Sequence, residues 1–65
     1  MYKVFHRTWW RENPDWPDGL EPHAGRKTHI SYAHNEQDAQ EICAEYNGKH
    51  NAGRLSRKAE YENAY

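Results

Sequence analysis

The chain has 65 residues, a formal net charge of -1 and a single cysteine; 29% of its side chains are charged and 14% aromatic. A chain of this size forms one domain, 1–65, which buries only about 60% of its unfolded surface. One cysteine excludes an internal disulfide and a four-cysteine zinc site, and no apolar run is long enough to span a membrane. The mean hydropathy of -1.41 leans towards disorder, but the aromatic content opposes it, because each aromatic ring buries about 150–250 Å². Aliphatic side chains are scarce (Val4, Leu20, Ile30, Ile42 and Leu55), so the core must draw on aromatics.

In chain order, Tyr2 to Trp10 alternates like a strand, with Tyr2, Val4, His6 and Thr8 on one face and Lys3, Phe5, Arg7 and Trp9 on the other. Neither face is cleanly polar, so either could meet a helix. Arg11 to Lys27 reads as a long loop. Pro14, Pro17 and Pro22 remove backbone donors, and Pro17-Asp18-Gly19 is a turn signal. Trp16 and Leu20 suggest that this loop folds back on the body as an ordered Ω-type loop. Thr28 to Ala33 reads as a second strand, with Ile30 and Tyr32 sharing a face.

Asn35 to Gly48 is the clearest element. Ala39, Ile42, Cys43 and Tyr46 fall on one helical stripe. Asn35 suits the N-cap, Glu36 and Asp38 favour the first turn, and Gly48 suits a left-handed C′ position. Cys43 on that stripe reads as a small buried hydrophobe. The tail allows two readings: a helix capped by Ser56, or a strand over Arg57 to Glu62. The strand is preferred because it completes a sheet under the helix. The expected architecture is therefore α+β with order ββαβ: a three-stranded antiparallel sheet, one amphipathic helix over about 36–47, and the Pro-rich loop 11–27. The helix stripe would meet Tyr2/Val4 or Phe5/Trp9, together with Ile30, Tyr32 and the Leu55/Tyr61 segment.

The charges come in blocks: basic at Lys3, Arg7 and Arg11, acidic from Glu12 to Glu21, basic at Arg26 and Lys27, acidic along the helix, then basic at Lys49, Arg54, Arg57 and Lys58. Such blocks either neutralise one another within the molecule or form separate interaction lobes. His6, His23, His29, His34 and His50 lack a short-spaced zinc pair or an H-E-x-x-H motif, so no metal and no cofactor is expected. No phosphate loop, nucleophile elbow or telling carboxylate pair is present, and no enzyme is expected.

Two binding readings remain. Trp, Tyr and Arg dominate interface hot spots, which points to Trp10, Arg11, Trp16, Arg54, Arg57 and Lys58 as contacts to a protein. Trp9 and Trp10, adjacent in a strand, would face opposite sides. Trp16 would either cap the outward one or stand exposed itself. The alternative is a nucleic-acid accessory factor with Arg7, Arg11, Arg54, Arg57 and Lys58 on phosphates, although a pI near 6.5 is low for that class. A homodimer is compatible with so small a core.

The segments HRTWWRENPDWPDGLEP and YNGKHNAGRLSRKAEYE resemble a group of short proteins of temperate phages and prophages, over His6 to Glu62. The resemblance implies a phage accessory protein acting in the bacterial cytoplasm, in company with small inhibitors of host defence such as anti-CRISPR proteins and with adaptors of host enzymes. The chain lacks the heavy negative charge of inhibitors that imitate DNA.

Overall fold

The computed structural model describes residues 1–64. Its elements are β1 (Tyr2–Arg7), β2 (Trp10–Glu12), β3 (Leu20–Pro22), β4 (Thr28–Ala33), α1 (Glu36–Lys49) and β5 (Lys58–Asn63). β4, β1 and β5 form a three-stranded antiparallel sheet in the order β4-β1-β5. The α+β architecture expected from the pattern is present, with a small two-stranded hairpin, β2-β3, added to it.

That hairpin corrects two expectations. The long first strand stops at Arg7, and the Pro-rich stretch is paired where a loop was expected. The break has a backbone cause. Trp9 and Trp10 both donate their N–H to one carbonyl, Leu55 O, at 2.9 and 3.2 Å. Adjacent N–H groups of a regular strand point to opposite sides, so the chain must kink there. Thr8 and Trp9 offer their carbonyls to Gly25 and His23 at 2.8 and 3.0 Å, which draws the far end of the Pro-rich stretch alongside. Gly25 has no room for more: a Cβ there would run into the Thr8 hydroxyl. The turn of the hairpin is closed by Asn13 N–H to Gly19 O (2.9 Å), and the Asn13 side chain accepts from Asp15 N–H at 3.0 Å. Gly19 sits at φ 73, in the left-handed region that glycine enters freely.

The helix starts as its cap residue dictates, with Asn35 extended and its side chain accepting from Asp38 N–H at 2.9 Å. It ends later than expected. It passes through Gly48 to Lys49, and the His50 N–H bonds Tyr46 O at 3.0 Å with His50 itself extended. The left-handed positions are instead Gly53 (φ 72) and Ser56 (φ 53), in the turn that precedes β5. A left-handed Ser56 cannot serve as an extended N-cap, which settles the tail as a strand.

The helix lies on the Tyr2, Val4 and His6 face of β1. Val4, Ala33, Ala39, Cys43 and Ala59 are buried between the layers, with Tyr2, Ile30, Ile42, Tyr46 and Tyr61 packed around them. Leu55 is not among them; its carbonyl holds the kink at Trp9. Ile30 and Tyr32 do not share a face either. The β1–β4 register shifts between Val4 and Phe5, and this bulge breaks the period of two. Ile30 and Ala33 therefore both reach the core, while Tyr32 is 57% exposed. Phe5, on the opposite face, is 2% exposed beneath the side chains of Lys27 and Arg7, whose cationic groups lie 4.7 and 5.6 Å from its ring.

Two clamps fix the helix over β5. Near its start, the Tyr61 hydroxyl donates to Glu36 at 3.1 Å and accepts from Gln40 at 3.2 Å. Near its end, the Asn47 side chain accepts from Ala59 N–H at 2.9 Å and donates to Ala59 O at 3.5 Å. The amide of Asn47 thus takes the place of a neighbouring strand along the outer edge of β5. Asn47→Ala leaves both backbone groups of Ala59 to water and should cost about 1–2 kcal/mol. Thermal unfolding should show this as a Tm lowered by roughly 4–8 °C per kcal/mol; an unchanged Tm would mean that the edge needs no cover.

Candidate protein-binding surface

The hairpin β2-β3 gathers four of the six residues expected to contact a protein. Trp10 and Arg11 lie in β2, Trp16 lies in the turn, and Arg54 reaches across from the turn before β5. Trp10 is 37% and Trp16 43% exposed, so neither caps the other to the exclusion of water. The tryptophan that is covered is Trp9, whose ring carries the Arg7 guanidinium at 4.2 Å.

The hairpin is fastened from both faces. On one, Arg11 and Asn13 both donate to a single Glu21 carboxylate oxygen, at 2.6 and 3.1 Å. These two bonds and the Arg11 charge hold the Glu21 carboxyl below its usual range. On the other, Arg54 donates to Glu12 at 2.9 Å and to the carbonyl of Asp18 at 3.4 Å. A Cβ on Gly19 would stand 3.1 Å from that guanidinium, so the glycine also gives Arg54 its way in. Exposed ion pairs contribute little to stability singly. Here they act by fixing where the hairpin points.

Arg57 and Lys58 stand apart from the hairpin tip. Arg57 lines an open depression of about 300 Å³ with Thr8, Leu55 and Arg54, at the hairpin's root. Lys58 lies across from Arg7 in the β1–β5 ladder. Of the five residues offered for phosphate contact, Arg7, Arg11 and Arg54 are each paired with a carboxylate of this chain: Glu60 at 2.9 Å, Glu21 at 2.6 Å and Glu12 at 2.9 Å. Lys27–Glu62 and Lys49–Glu45 pair likewise, each at 2.7 Å. The charge blocks of the sequence thus largely neutralise one another within the fold.

Sequence reasoning did not bring out a three-ring column at the end of the helix. His6 stacks on Tyr46 with centroids 5.3 Å apart, and Tyr46 stacks on His50 at 4.2 Å. Tyr46 and His50 are i, i+4 on a helix and could have been paired; His6 joins them only through the β1–α1 packing. Burial of His6 lowers its pKa, and the positive charge of Arg57 and the nearby His50 lower it further. Cys43 lies between helix and sheet at 8% exposure, and burial, reinforced by the Glu60 charge, raises its thiol pKa. Among the described residues, no three His, Cys, Asp or Glu side chains group as metal ligands would. Likewise, no helix is long and apolar enough to cross a membrane.

Set against known proteins, the chain matches no family model, no curated protein and no solved structure.

The His6 column carries a pH dependence with a definite sign. The unfolded chain takes up the His6 proton near 6.5, whereas the folded chain takes it up only at lower pH. Below pH 6.5 the unfolded state therefore binds more protons, and stability falls as the solution is acidified. Melting curves between pH 8 and 5 should show a declining Tm below pH 6.5, and His6→Phe, which keeps a stacked ring, should flatten that decline. A slope identical in the variant would exclude His6 as its source.

Proposed function

We propose that this protein is a non-catalytic binder of a bacterial host protein, which it inhibits or redirects, and that the β2-β3 hairpin makes the contact. The observation that carries this reading is the exposure of Trp10 and Trp16 on a hairpin pinned from both faces. A large aromatic on a rigid support loses little conformational entropy on binding, which makes it suited to anchor an interface. Arg11 and Arg54 beside them, and Arg57 at the hairpin's root, supply the polar surround; Lys58 lies at its margin. The resemblance of HRTWWRENPDWPDGLEP and YNGKHNAGRLSRKAEYE to phage accessory proteins supports a host protein as partner, defence complexes such as CRISPR effectors included, and the bacterial cytoplasm as the place. The non-catalytic part is supported by two shallow, solvent-open depressions, of about 270 and 300 Å³, and by the raised pKa of the buried Cys43 thiol.

Nucleic acid is the competing partner, and Arg57 and Lys58 favour it, since neither has a carboxylate within ion-pair distance among the described residues. Salt separates the two. Phosphate contacts weaken steeply with ionic strength, whereas an aromatic anchor is nearly indifferent to it. Capture of the tagged protein from a bacterial lysate at about 300 mM salt should retain one stoichiometric host protein. Trp16→Ala should weaken that complex by about 2 kcal/mol, roughly thirtyfold in Kd, with an unchanged circular dichroism spectrum. Retention of nothing at that salt, with nucleic acid recovered at low salt, would overturn the reading in favour of phosphate binding.

A further inference from the structure

The two outer edges of the main sheet are treated differently. β5 carries Lys58, Glu60 and Glu62, and Asn47 satisfies the outward N–H and C=O of Ala59. Charge and cover are the usual protections of an edge strand. β4, THISYA, has neither: no Lys, Arg, Asp, Glu or Pro occurs in it, and among the described residues it pairs only with β1.

The direction of its free backbone groups follows from the ladder. The Ala59 backbone is turned outward to Asn47, and the Met1 carbonyl accepts from Ala64, so odd-numbered β1 residues bond β5 and even-numbered ones bond β4. Opposite Tyr2 and Val4, Ala33 and Ser31 direct their backbone inward. Tyr32 between them directs its N–H and C=O outward, where among the described residues nothing bonds them. The side chain of Tyr32 is itself the most exposed large hydrophobic group among the described residues.

The helix, clamped over β5 by Tyr61 and Asn47, covers β4 least. Along that uncovered flank runs an open depression of about 270 Å³, with Ile30, Ile42 and Tyr46 in its lining. The unprotected edge and the poorly covered apolar surface therefore lie on the same side of the sheet.

From these features we infer that β4 pairs antiparallel with β4 of a second copy, forming a six-stranded sheet across a two-fold axis at Tyr32. A second copy fits this edge in a way that an arbitrary strand does not. With Tyr32 opposite Tyr32, the two residues exchange their outward hydrogen bonds, and their rings form an aromatic cross-strand pair. No like charges meet along the strands. The flank before β4 is basic, with Arg26 exposed and no carboxylate within ion-pair distance among the described residues, and the helix after β4 opens on Glu36 and Asp38. Antiparallel pairing lays Arg26 of each copy alongside the first helical turn of the other, so the complementary charges meet at both ends. The two helices fall on the same face of the joined sheet, and each copy's depression then faces the other's helix.

The test is sedimentation equilibrium of the full chain across about 1 µM to 1 mM, a span that brackets the affinities of weak to moderate dimers. A concentration-dependent dimer is expected. Tyr32→Pro removes an outward N–H, which an edge strand tolerates, and should leave a monomer with unchanged circular dichroism. Arg26→Glu and Asp38→Lys, each alone, set like charges together and should weaken the dimer roughly tenfold. Mixing these two variants should restore it, because every facing pair is then of opposite sign. A wild-type monomer throughout the range overturns the inference. So does a dimer whose affinity neither charge variant changes and mixing does not improve, a result that stands even if Tyr32→Pro fails to fold.

Discussion

The helix can rest on the sheet because the residues directly between them are small. Ala39 and Cys43 on the helix meet Val4, Ala33 and Ala59 on the strands, and of these only Val4 exceeds the size of a cysteine. Small side chains let the two backbones approach, so that polar groups on the helix reach the edge strand itself: Asn47 to the Ala59 backbone, Tyr61 to Glu36 and Gln40. Larger core residues would lift the helix and put these bonds out of reach. The cost is a core with little apolar mass, and the aromatics make up for it from the rim. Tyr2 and Tyr61 meet edge to face at 5.9 Å, and Tyr46 is held between His6 and His50.

The same shortage governs the opposite face of the sheet. No second layer of helix or sheet covers it among the described residues, yet Phe5 is buried there beneath the Arg7 and Lys27 side chains, whose cationic groups lie over its ring and are anchored on Glu60 and Glu62. Long charged side chains acting as apolar cover are effective where apolar residues are few. They also explain why a chain with blocks of both signs is not a strongly polarised molecule. Most of its cations are spent on internal carboxylates, at positions where their stems or forks hold something in place. For Arg54 and Arg11, that something is the hairpin.

How much of this could be read from the sequence follows from the range of each signal. The helix start was legible because an N-cap and its first turn are contiguous, and the buried stripe because 3.6 periodicity is local. The helix end was not. Gly48 is a strong stop in isolation, but continuing past it places His50 over Tyr46 and Lys49 beside Glu45. The hairpin was missed because prolines argue against strands, and the bonds that pin it come from Leu55, His23 and Gly25, remote or irregular in spacing. The β4 bulge likewise leaves no mark in THISYA, so Ile30 and Tyr32 read as one face. Of the contact residues, Trp10, Arg11, Trp16 and Arg54 were legible as types, while their gathering around one hairpin depended on the Glu12–Arg54 pair, 42 residues apart.

An allocation follows from this architecture. A chain with few aliphatic residues must use aromatics for cohesion, and every aromatic left outside the packing has to be accounted for by something else. Trp9 is accounted for by Arg7, Phe5 by Lys27 and Arg7, and Tyr2, Tyr46 and Tyr61 by the helix–sheet rim. Among the described residues, Trp10 and Trp16 remain, exposed on the hairpin, and Tyr32, more than half exposed on the β4 edge with the His29 ring of its own strand beside it at 4.7 Å. They fall into two separate places, the hairpin and the β4 edge. A chain this short of apolar side chains leaves these rings outside its own packing, and it is on them that the proposed hairpin contact and the proposed β4 pairing rest.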